Sequence, residues 1–305
     1  MQRFMRLAVV SCVLVGCAES SGADPDAWEP SVQRDACGFA EAAVANLDIS
    51  QRRDRFHATA FARIEAEVRL APAIIRHEEV MRAGGCRHLQ PVPGGTCDPP
   101  CAANEFCGTD NACEPAPGGV AAGPLTIKGL SEPIEIEAES FAPGSYVGPT
   151  DLPASLFSAT DVIGARFEGD TFPTVTLGVT GVAAIDQELV TAGLDLPAGQ
   201  DGEVTWSPGA DPDACIRVVI NGPNIVHGAP LDDIIECEGA DTGSLQIPQT
   251  LLDSFPAGDT PELTEGFDWP LSELTRYSRS RVQTESGAAA MVVRSTAYFP
   301  IRHPG

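Results

Sequence analysis

The sequence predicts a mainly β protein. An antiparallel β-sandwich is expected over residues 124–305, preceded by a small α-helical domain at 31–90 and a short disulfide-knot linker at 91–123. Three observations carry this expectation. From Leu125 onward, short apolar runs are broken every few residues by Gly, Pro and Asp, as in all-β domains. Between 31 and 90 apolar residues recur at helical spacing instead. Between them, residues 97–113 read CDPPCAANEFCGTDNAC, a segment with almost no apolar mass that only cross-links can hold in shape.

Size and charge bound the function. The 305 residues amount to about two average domains, and a 43% hydrophobic fraction is enough to build real cores. Nineteen basic residues stand against 43 acidic ones, a formal net charge of −24. Such a surface repels phosphate backbones and anionic headgroups, so no nucleic-acid partner is expected. The acidity is uneven. Residues 31–90 hold nine Arg and eight acids, whereas from 91 onward 31 acids face eight bases.

At the N-terminus, Arg3 and Arg6 precede a ten-residue apolar run at 7–16. A membrane-spanning helix needs roughly twenty such residues, so this run reads as a signal peptide at 1–16. It ends Leu14-Val15-Gly16-Cys17, which resembles a bacterial lipobox. The resemblance implies diacylglyceryl transfer to the Cys17 thiol, cleavage before Cys17 and acyl (palmitate-type) anchoring. Ala18 rather than Asp after the lipidated Cys implies the outer membrane, or cell surface, of a Gram-negative bacterium. Residues 17–30 then read as the lipidated Cys and a Ser/Gly/Asp/Pro-rich flexible tether.

Phe39, Ala43 and Leu47 recur at i+4, and Phe61, Ile64 and Val68 at i+3 and i+4, each predicting a helix with one apolar face. Ser50 is a candidate cap, Pro72 a stop and Gly84-Gly85 an end. Strands are expected at 125–129, 134–138, 161–167, 174–179, 203–206, 215–221, 234–237, 243–247, 274–283 and 289–299, with one helical turn near 248–254. Val175 and Leu177, then Ile216, Val218 and Ile220, alternate with period two.

With Cys12 in the signal peptide and Cys17 lipidated, eight cysteines remain: Cys37, Cys86, Cys97, Cys101, Cys107, Cys113, Cys215 and Cys237. An even number in an exported chain points to four disulfides. Spacing suggests Cys37–Cys86 across the helical segment, two bridges within the knot and Cys215–Cys237 between adjacent strands. Zinc is not expected, since the Cys-x-x-Cys pairs of structural zinc sites are absent. Three pairings are open inside the knot. Its spacing resembles small dickkopf-like or EGF-like disulfide knots, and that resemblance implies Cys97–Cys107 with Cys101–Cys113. The whole layout resembles β-sandwich ectodomains of bacterial surface lipoproteins.

Candidate chemistry is sparse. Asp241-Thr242-Gly243-Ser244 resembles the active-site turn of pepsin-like aspartic proteases. That chemistry needs two carboxylates sharing one proton, and with no second such motif only a symmetric homodimer would supply the partner. The plainer reading is an Asp-Gly turn between two strands, in which Asp241→Asn would change stability little. His77-Glu78-Glu79-Val80-Met81 begins like a zincin helix but has Met81 where the second His belongs, so a solvated helix surface is expected. The acidic groups Asp211-Pro212-Asp213, Asp232-Asp233 and 259–268 are candidate calcium loops without EF-hand register; a solvated surface and no cofactor are the expectation. Trp206, Trp269 and Tyr146 are candidates for a ligand face, with core packing the commoner role.

These readings converge on a non-catalytic, lipid-anchored envelope protein with a binding, adhesion or structural role. Its partners would be the membrane, through the N-terminal lipid, and a protein or polysaccharide ligand. The alternative is a secreted-side hydrolase, a homodimeric aspartic-protease-like enzyme using Asp241.

Overall fold

In a computed structural model the described residues are 28–53, 60–71, 77–92, 97–102, 105–108, 110–140, 142–185, 194–222, 233–259 and 272–304. The segments expected to be a signal peptide and lipobox, and most of the expected tether, lie outside them. In chain order the strands are β1 (Ala45–Arg53), β2 (Ala60–Val68), β3 (His77–Ala83), β4 (Cys86–Pro91), β5 (Glu105–Cys107), β6 (Cys113–Pro115), β7 (Leu125–Lys128), β8 (Ile134–Ile136), β9 (Ser145–Val147) and β10 (Val162–Phe167). There follow β11 (Val175–Thr180), β12 (Leu194–Asp195), β13 (Gly202–Thr205), β14 (Cys215–Asn221), β15 (Ile234–Ala240) and β16 (Ser244–Ile247). After the single helical turn α1 (Gln249–Leu252) come β17 (Gly258–Asp259), β18 (Ser272–Thr284), β19 (Gly287–Phe299) and β20 (Ile301–His303).

The expected helical domain at 31–90 is not found. Its described residues supply four strands, and these belong to the same sheet as the C-terminal strands. The nine-stranded order is β3-β4-β15-β14-β18-β19-β1-β2-β9. β1 enters parallel to β19, Leu47 opposite Met291 and Ile49 opposite Val293, so the main sheet is mixed rather than purely antiparallel. The physical reason lies in the alternation. Ala45, Leu47 and Ile49, then Ile64, Ala66 and Val68, are buried at period two, with Asp48, Glu65 and Glu67 between them on the other face.

One face of this sheet covers two apolar clusters. Under β1, β2 and β19, Leu47, Ile49, Ile64, Met291 and Val293 pack with Leu125, Ile127, Ile163, Phe167, Leu177 and Val179 of the four-stranded sheet β11-β10-β7-β8. Under β14, β15 and β18, Ile216, Val218, Ile235 and Leu274 pack with Trp206, Ile247, Leu251, Leu252, Phe255 and Ile301. By register Arg276 and Ser295 sit opposite each other on this inner face, a polar seam between the two clusters.

A strap formed by the residues before β1 binds both sheets. Trp28 and Pro30 lie so close to Gly164, and the Ser31 carbonyl so close to Gly178, that a Cβ at either glycine would collide with them. β14 begins at Cys215, opposite Tyr277, which leaves the β18 edge open beyond that point; there the Asp35 amide donates to the Arg279 carbonyl at 2.9 Å. Cys37 is bonded to Cys215, and Phe39 lies beneath the guanidinium groups of Arg82 and Arg87, 5.0 and 4.2 Å from its ring centre. The strap therefore ends on the outer face of the main sheet.

Candidate functional site

Asp241 follows β15, and its carboxylate turns into the seam. Its side chain is fully buried, with Oδ1 accepting from Trp206 Nε1 at 2.5 Å and Oδ2 from the Gly209 amide at 2.7 Å. Arg276 Nε donates to the same Oδ2 at 2.7 Å, and its Nη groups donate to the carbonyls of Ala183, Ala184 and Ser207. Trp206 is thus a core residue that donates to Asp241, and Tyr146 is also buried, its hydroxyl donating to the Gly123 carbonyl. Both are core residues, although Tyr146 also borders the hollow between β2 and β9; Trp269 lies outside the described residues.

The disulfides join Cys37 to Cys215, Cys86 to Cys237, Cys97 to Cys107 and Cys101 to Cys113. The pairings within the knot are those its resemblance implies. The other two correct the spacing argument, which joined Cys37 to Cys86 and Cys215 to Cys237. Cys86 and Cys237 face each other on β4 and β15 with Cα atoms 4.0 Å apart, a neighbourhood created by sheet order. The three knot sulfurs that cluster, Cys97, Cys101 and Cys113, are all consumed in disulfides.

Asp211, Asp213 and Asp233 have protein partners. Arg34 of the strap ion-pairs with Asp211 at 3.0 Å and Asp213 at 2.7 Å. Asp233 accepts from Gln90 Nε2 at 3.0 Å and lies 2.9 Å from His88 Nε2. Asp232 and residues 260–268 lie outside the described residues. The His77–Met81 motif forms part of edge strand β3 rather than a helix, with Arg82 donating to Glu79 at 2.7 Å.

The richest cluster lies on the outer face of the main sheet. Register places Arg87 opposite Glu236, Arg217 opposite Glu238 and Thr275, Tyr277 opposite Arg294, and Asp48 opposite Val292. With Arg279 and Ala40 these residues line a cleft of about 330 Å³. It continues past Asp48 and Val292 into a hollow of about 480 Å³ lined by Glu65, Glu67 and Ser145. Glu236, whose side chain is 4% exposed, bridges two guanidiniums, Arg87 and Arg217, each at 2.5 Å. The Tyr277 hydroxyl donates to Glu238 at 2.8 Å. Burial pushes the Glu238 carboxyl above its ordinary range, against the lowering effect of the Tyr277 hydrogen bond and Arg217. Burial, then the Glu238 charge, pushes the Tyr277 phenol up as well.

Not all of this cation chemistry is used internally. Arg217 is 41% exposed and donates through Nε to Glu236, while its Nη groups make no hydrogen bond to a described residue. Arg294 Nε lies 2.7 Å from Asp48 without hydrogen-bond geometry. Arg279 is held by the strap, Nη2 donating to the carbonyls of Ala36 and Gly38.

Sequence reasoning missed Arg217, Glu236, Glu238, Tyr277 and Arg294 as a group. A signal existed: five of the eight bases after residue 90 are Arg217, Arg276, Arg279, Arg281 and Arg294, confined to three strand segments of an otherwise acidic region. No family model matches the chain, and no match to a curated protein was found.

Proposed function

We propose that this chain is a non-catalytic binding protein of the bacterial cell envelope, exported and held by a lipid on Cys17. Its body would be a sandwich-like β domain that presents the outer sheet face to a polysaccharide or protein ligand. The observation that carries the reading is the cleft: a concave, charged surface where the Arg217 Nη groups meet no described partner, on the sheet face opposite the two apolar clusters. Four disulfides support an oxidising compartment. The reading of Asp241-Thr242-Gly243-Ser244 as a turn gains support from its surroundings. Both Asp241 oxygens accept hydrogen bonds and the side chain is buried against Arg276, whereas a shared-proton pair needs two carboxylates in contact.

The test places the purified chain on cell-wall and acidic or neutral polysaccharide matrices, beside a peptide library between about pH 3 and 6. Retention without turnover is the expected result. Pepstatin-sensitive cleavage lost in Asp241→Asn, in a variant still folded by circular dichroism, would overturn it in favour of the hydrolase.

A further inference from the structure

Resting on that binding reading, we infer that the arginine end of the outer-face cleft takes the carboxylate of an acidic sugar, between Arg217 and Arg294. The two residues leave β14 and β19 on the same face, separated by β18 with Thr275 and Tyr277 between them. Two strand spacings and a two-residue offset along β18 set their backbones roughly 12 Å apart, a span that two extended guanidinium arms can close over a single carboxylate. Each is held through Nε by a carboxylate on the strand away from the other arginine, Arg217 by Glu236 of β15 and Arg294 beside Asp48 of β1. The Arg217 Nη groups make no hydrogen bond to a described residue, and both side chains line the one cleft, where planar donors can meet a carboxylate.

The rest of the cleft narrows the ligand class. Four guanidiniums and three carboxylates line it, in a protein whose net charge is −24, so this patch stands out as a place where an anion is tolerated. Its apolar lining is confined to Ala40 and Val292. An acidic peptide would find little to bury its apolar side chains against. A polyhydroxylated acid would find acceptors for its hydroxyl protons in Glu236, Glu238 and Asp48. A volume of about 330 Å³ falls at the small end of ligand pockets, the size of a single sugar ring with its substituents.

Titration calorimetry of the full chain with potassium galacturonate and with galactose tests this directly. Galacturonate is expected to bind at least about tenfold more tightly than galactose, the size of one charge-assisted hydrogen bond. Arg217→Gln and Arg294→Gln should each remove that advantage, while Arg302→Gln, on an exposed arginine beside Asp195, should not. Arg217→Gln leaves Glu236 paired with Arg87, so it decides the matter even where Arg294→Gln does not fold. Equal affinity for the two sugars, or galacturonate binding unmoved by Arg217→Gln, overturns the proposal. If polysaccharide matrices still retain the chain in that case, the binding reading survives and only the acidic-sugar assignment falls. If neither sugar binds and no matrix retains the chain, both fall.

Discussion

Arg276 and Arg217 leave neighbouring strands of one sheet toward opposite faces, and each meets a carboxylate supplied by β15 or the residue after it. Arg276 points inward to Asp241; Arg217 points outward to Glu236. The inner pair is closed. Nε and both Nη groups of Arg276 are engaged, and Asp241 accepts from Trp206 and Gly209 besides. The outer pair is open, with Arg217 using Nε alone toward a carboxylate that also holds Arg87. The chemistry is the same, and what differs is the number of donors left over. Full satisfaction makes a peg that sets two cores against each other; partial satisfaction makes a surface able to exchange partners.

The contrast breaks first at Asp241. Asp241→Asn keeps the shape and can still accept from Trp206, but it leaves the Arg276 charge buried without its anion. Uncompensated charges of this kind cost about 3–5 kcal/mol, so urea unfolding should show a loss of that order. A loss below about 1 kcal/mol would mean the pair is no peg. This reverses the small effect expected from a simple surface turn.

Next in size is the strap. Replacing Cys37 and Cys215 by Ser opens a bridge across a sequence separation of 178 and should cost about 2–4 kcal/mol, read as a lower denaturation midpoint. Because the strap holds Arg279 and places Ala40 at the rim of the cleft, this variant should also alter sugar affinity. The Asp241 variant, where folded, should leave that affinity unchanged.

These two regions also mark how far the sequence could be read. The ten strands expected from Leu125 onward are present within a few residues, because several alternate locally, as Ile216, Val218 and Ile220 do, and most end near Gly, Pro or Asp. The segment 31–90 misled for a physical reason. Phe61, Ile64 and Val68 fit helical spacing only if Ala66 is passed over, whereas Ile64, Ala66 and Val68 fit a strand, and Ala, Arg and Glu favour helix in isolation. What decided it was β19, more than 200 residues away, which supplies a partner edge to β1. The same long-range pairing set Cys86 against Cys237 and assembled the cleft from six strands. The buried fate of Asp241 depended on Arg276, 35 residues further on, so the D-T-G-S motif by itself pointed to the wrong degree of exposure.

A smaller effect sharpens the outer side. Burial raises the Glu238 carboxyl, with Tyr277, Arg217 and Arg279 opposing and Glu236 reinforcing the rise. The folded state therefore holds this proton more tightly than the unfolded chain. Stability contributed by the group is present at low pH and is lost as pH rises from the ordinary carboxylate value through the folded one. Glu238→Gln should flatten that part of the profile of melting temperature against pH. An unchanged slope would mean that the hydrogen bond from Tyr277 and the nearby guanidiniums offset the burial.

The smallest expected effect on stability is at Arg217, and it is the one that most separates the two faces. Its side chain is 41% exposed, and its partner Glu236 retains Arg87 at 2.5 Å when it is removed. Arg217→Gln leaves Glu236 its Arg87 and Glu238 its Tyr277 hydrogen bond, so the loss should be about 1 kcal/mol, the upper range of a partly screened pair. Arg276→Gln on the inner face leaves Asp241 buried with only Trp206 and Gly209, and should cost several times more. Denaturant midpoints of the two variants, measured side by side, give the comparison. Near-equal losses would mean that the outer array is as rigidly committed as the inner peg, with no guanidinium to spare for a ligand. A large loss at Arg276 with a small one at Arg217, joined to a loss of galacturonate affinity at Arg217 alone, would assign support to the inner face and recognition to the outer.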